Sequence, residues 1–217
     1  MYTNGIEKIK SDQYELDDLL DSPLDKRRGI SLVIKPNEQV AQRIQHFLDI
    51  LKHIEPGQYY YPTTDLHITV MALISCYDGF DMDQIKVEDY IDLIQKILPK
   101  QTKIEINFQG ITASSGCVMI QGFPQQTVLH DIRNSLRTAF KTSTLQQSLD
   151  HRYPLRTAHI TAARFRTPFT AKEEFLQTLE NFRNYDFGIS TINEIEFVYN
   201  DWYLKEQFTK TLFRFSI

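Results

Sequence analysis

The chain is poor in the residues that most often announce a cofactor or a stapled scaffold. Its only cysteines, Cys76 and Cys117, are too few and too isolated for a disulfide framework or a zinc site. Its eight glycines form no phosphate-cradling loop. Neither a Gly-x-Ser-x-Gly elbow nor a low-complexity segment is present. No apolar run approaches the ~20 residues of a membrane span, and the N-terminus lacks the basic start and apolar stretch of a signal peptide. A net charge of −4 gives no large electrostatic footprint for duplex nucleic acid, though a few local cations could grip a nucleotide or strand end. These absences lead to the expectation of a soluble, cytoplasmic monomer with no membrane partner. At 217 residues and 41% hydrophobic content, the chain can bury a proper core in one or two domains.

What the chain does have is a repeat. Tyr61-Pro-Thr-Thr-Asp-Leu-His-Ile-Thr69 returns as Tyr153-Pro-Leu-Arg-Thr-Ala-His-Ile-Thr161, with five of the nine positions identical. The wider halves also align. Gly29 to Pro36 parallels Gly116 to Pro124 with one residue inserted, and Val40 and Val128 fall at matching depths of the helical patterns that follow. A duplicated unit of about ninety residues explains this economically. The expected organisation is an N-terminal arm over residues 1–28, one lobe over 29–115 and a second over 116–217, together forming one bilobal domain.

Periodicity supplies the elements. Ile30 to Lys35 reads as a buried strand stopped by Pro36, and Asn37 can cap a helix along Val40, Ile44, Phe47, Leu48 and Leu51. Leu66 to Ile74 is the first motif strand. Val87 to Leu98 is a helix ended by Pro99, and Ile104, Ile106 and Phe108 alternate as a strand. In the second half, Cys117 to Phe123 is a strand, Val128 to Phe140 a helix and Leu155 to Phe165 the second motif strand. Thr170 to Glu173 reads as a capping box opening a further helix. Ile192 to Tyr199 and Leu212 to Ile217 close the chain as strands, with a hairpin turn near Lys205. Residues 1–28, acidic in the middle, read as a flexible or loosely docked arm rather than a lid. The fold class is α+β, in two pseudo-symmetric lobes.

Strand side chains alternate faces, so His67 and Thr69 share one face while Leu66, Ile68 and Val70 pack behind them. His159 and Thr161 do the same, together with Thr157. Each lobe therefore presents an imidazole and a hydroxyl about 7 Å apart, aimed alike. If the lobes face each other, two proton-transfer groups and two hydroxyl donors bracket one tetrahedral group. In-line displacement at phosphorus needs a base on one side and an acid on the other, and histidine serves in both states near neutral pH. Threonine hydroxyls can donate to the non-bridging oxygens. No metal is required. A metal-dependent hydrolase would need carboxylates spaced with the histidines, and Asp65 is the sole candidate.

The two His-x-Thr motifs, on strands of duplicated lobes, resemble those of the 2H phosphoesterase superfamily. It includes 2′-5′ RNA ligase-like proteins and cyclic nucleotide phosphodiesterases. The resemblance covers residues 29 to 217. It implies two antiparallel-sheet lobes with outer helices around a central cleft. It further implies His67 and His159 as catalytic residues and Thr69 and Thr161 as phosphate-binding residues. The implied enzyme is a metal-independent phosphodiesterase opening 2′,3′-cyclic phosphates of RNA ends or small nucleotides, with no cofactor. The resemblance includes reversible 2′-5′ RNA ligation, in which an RNA 5′-hydroxyl replaces water. The alternative is a non-catalytic RNA or nucleotide-binding module.

Other residues are weighed on position. Many members of the family carry an Arg shortly after the second Thr, as Arg164 does. Yet its odd offset from His159 points it away from the cleft in a regular strand, unless a bulge re-aims it. Arg156 has the same parity. Tyr61, Arg156 and Tyr153 are candidate substrate contacts, with turn or packing roles as rivals. Trp202 and Tyr203 read as core residues that could line a nucleoside pocket. His46, His53 and His130 read as solvated or core-edge helix residues, and His151 lies close to the second motif.

Overall fold

The structure, a computed structural model, describes residues 2–149 and 155–217. Helix α1 (Tyr2–Lys10) opens the chain. Strand β1 (Arg28–Ile34) ends before Pro36, whose missing N–H cannot extend a ladder. Asn37 then caps α2 (Glu38–Ile54) by accepting from the Val40 N–H. Next come the two-residue strand β2 (Tyr59–Tyr60), motif strand β3 (Ile68–Tyr77), α3 (Val87–Ile97) and β4 (Ile104–Ala113). The second half runs β5 (Cys117–Pro124), α4 (Val128–Thr142), motif strand β6 (Ala158–Arg164) and α5 (Lys172–Asn181). Strands β7 (Asp186–Ile192), β8 (Glu194–Asp201) and β9 (Lys210–Ser216) end the chain.

The fold is α+β. Its strands form two antiparallel sheets, ordered β3-β1-β8-β9 and β2-β6-β5-β4-β7. In each, a motif strand pairs with the first strand of its own half: β3 with β1, β6 with β5. The sheet boundary and the sequence boundary at 115/116 do not coincide. Strand β4, from the first half, joins β5, while β8, from the second half, joins β1. The helices cross as well, since α2 lies against β7 and α5, and α4 against α3 and β3. Alternating strand patterns fit either sheet equally, so local sequence cannot reveal this exchange. A single apolar core spans both sheets. Among the described residues, no helix is long and apolar enough to cross a membrane.

Three local readings are corrected. The N-terminal arm is firmly docked. In α1, Ile9 is fully buried, and a Cβ on Gly5 would collide with the Ala113 carbonyl oxygen. Leu20 is buried too, and Asp17 and Asp21 pair with Arg164 and Arg166. Two of the acids that suggest a solvated tail, Asp17 and Asp21, are matched by cations over 140 residues away. Strand β7 is a further element, paired to the outer edge of β4.

The capping box at Thr170 is replaced by a longer-range device. Thr170 makes no side-chain cap. Instead Glu55, the C-cap residue of α2, is 1% exposed and accepts from the Thr170 and Ala171 N–H groups and the Thr170 hydroxyl. One carboxylate thus ties the end of α2 to the start of α5, where the helix dipole favours negative charge. Glu55→Ala should lower the unfolding free energy by about 2–3 kcal/mol, because it strands buried donors. Thr170→Ala should cost less than about 1 kcal/mol. Urea denaturation of both variants measures this, and the reverse ranking would restore the local capping box.

Candidate active site

Between the sheets lies a cleft of about 220 Å³. His67, Thr69, His159 and Thr161 all line it, as do Ala72 and Arg164. Ser31, Ser75, Cys76, Asn200 and Trp202 extend the same wall. Strand alternation brings the first four together, with Ile68, Val70, Ile160 and Ala162 fully buried behind them.

Arg164 arrives by an irregularity. Strand β6 pairs Thr161 with Met119 and Ala163 with Val118, so Ala162 is one residue too many. Such a bulge reverses the parity of everything after it. Ala162 and Ala163 are both buried, and Arg164 turns back into the cleft. Strand β3 has its counterpart at Val70, between the pairs Thr69–Val33 and Met71–Leu32. The extra residue stands three beyond the histidine in both strands. Ala72 and Arg164, five beyond, therefore occupy equivalent cleft positions, one with no charge and the other with a guanidinium. The sequence expectation that Arg164 points away fails for this reason. Arg164 Nε donates to the Tyr61 hydroxyl (2.9 Å), and Asp17 lies 3.3 Å from its Nη1.

The two histidines are held differently. His67 Nδ1 is 2.7 Å from the Asp65 carbonyl oxygen, which can only accept, so Nδ1 carries the proton. Nε2 remains for a ligand in the cleft. His159 Nδ1 instead meets the Thr157 hydroxyl at 3.0 Å. Asp65 and Thr157 stand at the same place in the repeat, so one position supplies a carbonyl in one lobe and a hydroxyl in the other. Burial lowers the His67 pKa to about 4 against the upward pull of the Asp65 bond, and the His159, Arg164 and Lys35 charges add to the lowering. Burial also lowers His159, followed by the Arg133 charge.

The remaining candidates separate. Tyr61 is 1% exposed and stands behind Arg164 rather than on the cleft wall. Arg156 is exposed and is not part of the wall; its neighbour Leu155 is. Tyr153 and His151 lie outside the described residues. Trp202, read as core, lines the cleft, with the Arg27 guanidinium 4.8 Å from its ring centre. Tyr203 is buried and donates its hydroxyl to Asp17. His46, His53 and His130 lie on α2 and α4, away from the cleft wall. Asp65 accepts from the Thr64 hydroxyl and the Glu206 N–H. Among the described residues, no three His, Cys, Asp or Glu side chains cluster to hold a metal ion.

No protein-family model matches the sequence, and no curated protein does either. The fold, however, is shared with solved structures. E. coli LigT complexed with 3′-AMP is similar over 88% of this chain and 98% of its own, at 17% identity and a TM-score of 0.60. TT0787 of Thermus thermophilus is similar over 87% and 97%, at 15% identity and a TM-score of 0.60. A phosphoesterase is similar over 88% and 98%, at 16% identity and a TM-score of 0.58.

The unequal settings of the two rings have a direct spectroscopic consequence. In imidazole ¹⁵N–¹H spectra of the ligand-free protein, His67 should stay neutral as the Nδ1–H tautomer until about pH 4. His159 should titrate below the usual imidazole range, because burial and then the Arg133 charge lower it. A His67 midpoint near 6.5 would contradict this electrostatic picture.

Proposed function

We propose that this chain is a 2H phosphoesterase that opens 2′,3′-cyclic phosphates of RNA ends or small nucleotides without a metal or other cofactor. The observation that carries the reading is the convergence of both His-x-Thr motifs on one cleft, through strands that share the same bulge. The LigT-like fold supports it, as does the nucleotide in that LigT structure.

The unequal settings of the two histidines support one assignment of their roles. A base must begin neutral and an acid protonated, so the ring with the lower pKa is the base. His67, at about 4 and with Nδ1–H fixed on Asp65, takes a proton from water on Nε2. The water oxygen attacks phosphorus, one phosphorus–ribose oxygen bond breaks, and His159 delivers its proton to the departing oxygen. The products are a phosphate monoester and a freed ribose hydroxyl. Thr69 and Thr161 donate to the non-bridging oxygens, where charge builds in the transition state. Arg164, held by Tyr61 and Asp17, adds fixed positive charge on the second lobe's side. The Asp65 carbonyl stabilises the imidazolium formed on His67. With an RNA 5′-hydroxyl in place of water, the same displacement frees the ribose 3′-oxygen and leaves a 2′-5′ linkage. The partner is thus a nucleotide cyclic phosphate or an RNA end, taken by a monomer.

Substitution, chelation and pH dependence check this. His67→Ala and His159→Ala should each lower kcat on cyclic mononucleotides by about 10²–10⁴ with the fold intact. Thr69→Val and Thr161→Val should each cost on the order of a hundredfold. EDTA should leave the rate unchanged, and near-wild-type turnover in either alanine variant would remove the acid–base pair. The kcat/KM profile should be a bell on the acid side of neutrality. Its acid limb follows His67 near pH 4. Its alkaline limb follows His159, which burial and the Arg133 charge hold below the usual imidazole range, the rate falling about tenfold per pH unit beyond it. A flat profile from pH 4 to 8 would count against both roles.

A further inference from the structure

Arg133 lies on α4, a helix of the second half that rests on the first motif strand. It is 2% exposed, and no carboxylate among the described residues pairs with it. Its partners are carbonyls. Nε donates to Val70 O at 3.0 Å, and Nη2 to Thr69 O at 2.7 Å and Thr157 O at 3.1 Å. Val70 is the extra residue of the β3 bulge, so its backbone is the part of that strand displaced from the ladder. Thr69 is a proposed phosphate donor, and Thr157 holds His159 Nδ1. The two motif strands belong to different sheets, and no ladder joins β3 to β6. One planar guanidinium therefore spans the gap between them. Burying a full charge without a counter-ion costs free energy, and burial lowers the Arg133 pKa to about 10, followed by the Arg137 charge. Packing alone would be served as well by a methionine.

Resting on the phosphodiester reading above, we propose that Arg133 is a positioning residue that sets the spacing and register of the two His-x-Thr strands across the cleft. Nη2 ties Thr69 to Thr157 while Nε, on Val70, fixes the plane of the group, and through these contacts the donor hydroxyl of one lobe is set against the imidazole of the other. Lysine could not reproduce this, because an ammonium lacks the coplanar Nε–Nη2 pair that holds the Val70 and Thr69 carbonyls side by side while Nη2 also reaches Thr157. The charge has a second effect. Among the described residues, Arg133 from α4 acts on His159, with His67 across the cleft and Arg137 acting in turn on Arg133, while Arg164 and Lys35 bear on His67. Removing the Arg133 charge should let the His159 pKa rise.

The test compares Arg133→Met and Arg133→Lys by thermal unfolding, by imidazole NMR titration without substrate, and by steady-state kinetics on a 2′,3′-cyclic mononucleotide. R133M should fold and lose tenfold or more in kcat with KM changed less than about threefold. Its His159 midpoint should move up toward 6.5 while His67 stays near 4. R133K keeps the charge and loses the fork, so its His159 midpoint should match wild type while kcat still falls about tenfold. Wild-type kcat in either folded variant, or an unmoved His159 midpoint in folded R133M, overturns the proposal. If R133M does not fold, R133K decides; if neither folds, Arg133 serves folding alone and the proposal fails. A wild type that turns over no diester, alongside a raised His159 midpoint in R133M, would sink the activity reading and leave the Arg133–His159 coupling standing.

Discussion

A strand with one residue more than its neighbour must bend, and every later side chain changes face. In β3 and β6 this happens three residues beyond the histidine, at Val70 and Ala162. The extra residue curls each motif strand around the cleft and puts the position five beyond the histidine on the cleft wall. Where the second half has Arg164 there, the first has Ala72. The backbone is thus nearly symmetric while the charge is not. The same inequality recurs two residues before each histidine, where Asp65 offers a carbonyl and Thr157 a hydroxyl. The two halves share a frame, and different residues within it make the two sides chemically distinct.

The supports of the site come from far along the chain. Arg133 reaches it from α4, Tyr61 from beside β2, Asp17 from the docked N-terminal segment, and Asn200 and Trp202 from the end of β8. Local strand geometry aims the four motif side chains; tertiary contacts tune their protonation. Burial lowers both imidazoles, and for His67 the charges of His159, Arg164 and Lys35 add to it, for His159 that of Arg133.

How much of this is legible in the sequence follows from the range of each interaction. His67, Thr69, His159 and Thr161 can be grouped because period-two alternation is local and the repeat prints it twice. The helix from Asn37 is legible for the same reason, through its cap and apolar spacing, and that from Val128 through apolar spacing alone. Arg164 escapes a local reading because a bulge depends on the partner strand. The exchange of β4 and β8 is invisible because either sheet accepts an alternating strand. Glu55 takes the place of the Thr170 cap from over a hundred residues away. The N-terminal acids look solvated until their cations are in view.

The exchange of β4 and β8 has a consequence for how such a molecule can arise. A single ninety-residue unit has a first strand and a motif strand that pair, but the third strand at their edge comes from the other unit. Alone, it would leave that edge bare and prone to capture a second copy. Two copies would then trade third strands about a twofold axis, with the cleft on the axis itself. Joining the copies end to end turns a concentration-dependent assembly into one covalent body. It also releases each groove wall to mutate separately, a freedom that an identical pair never has.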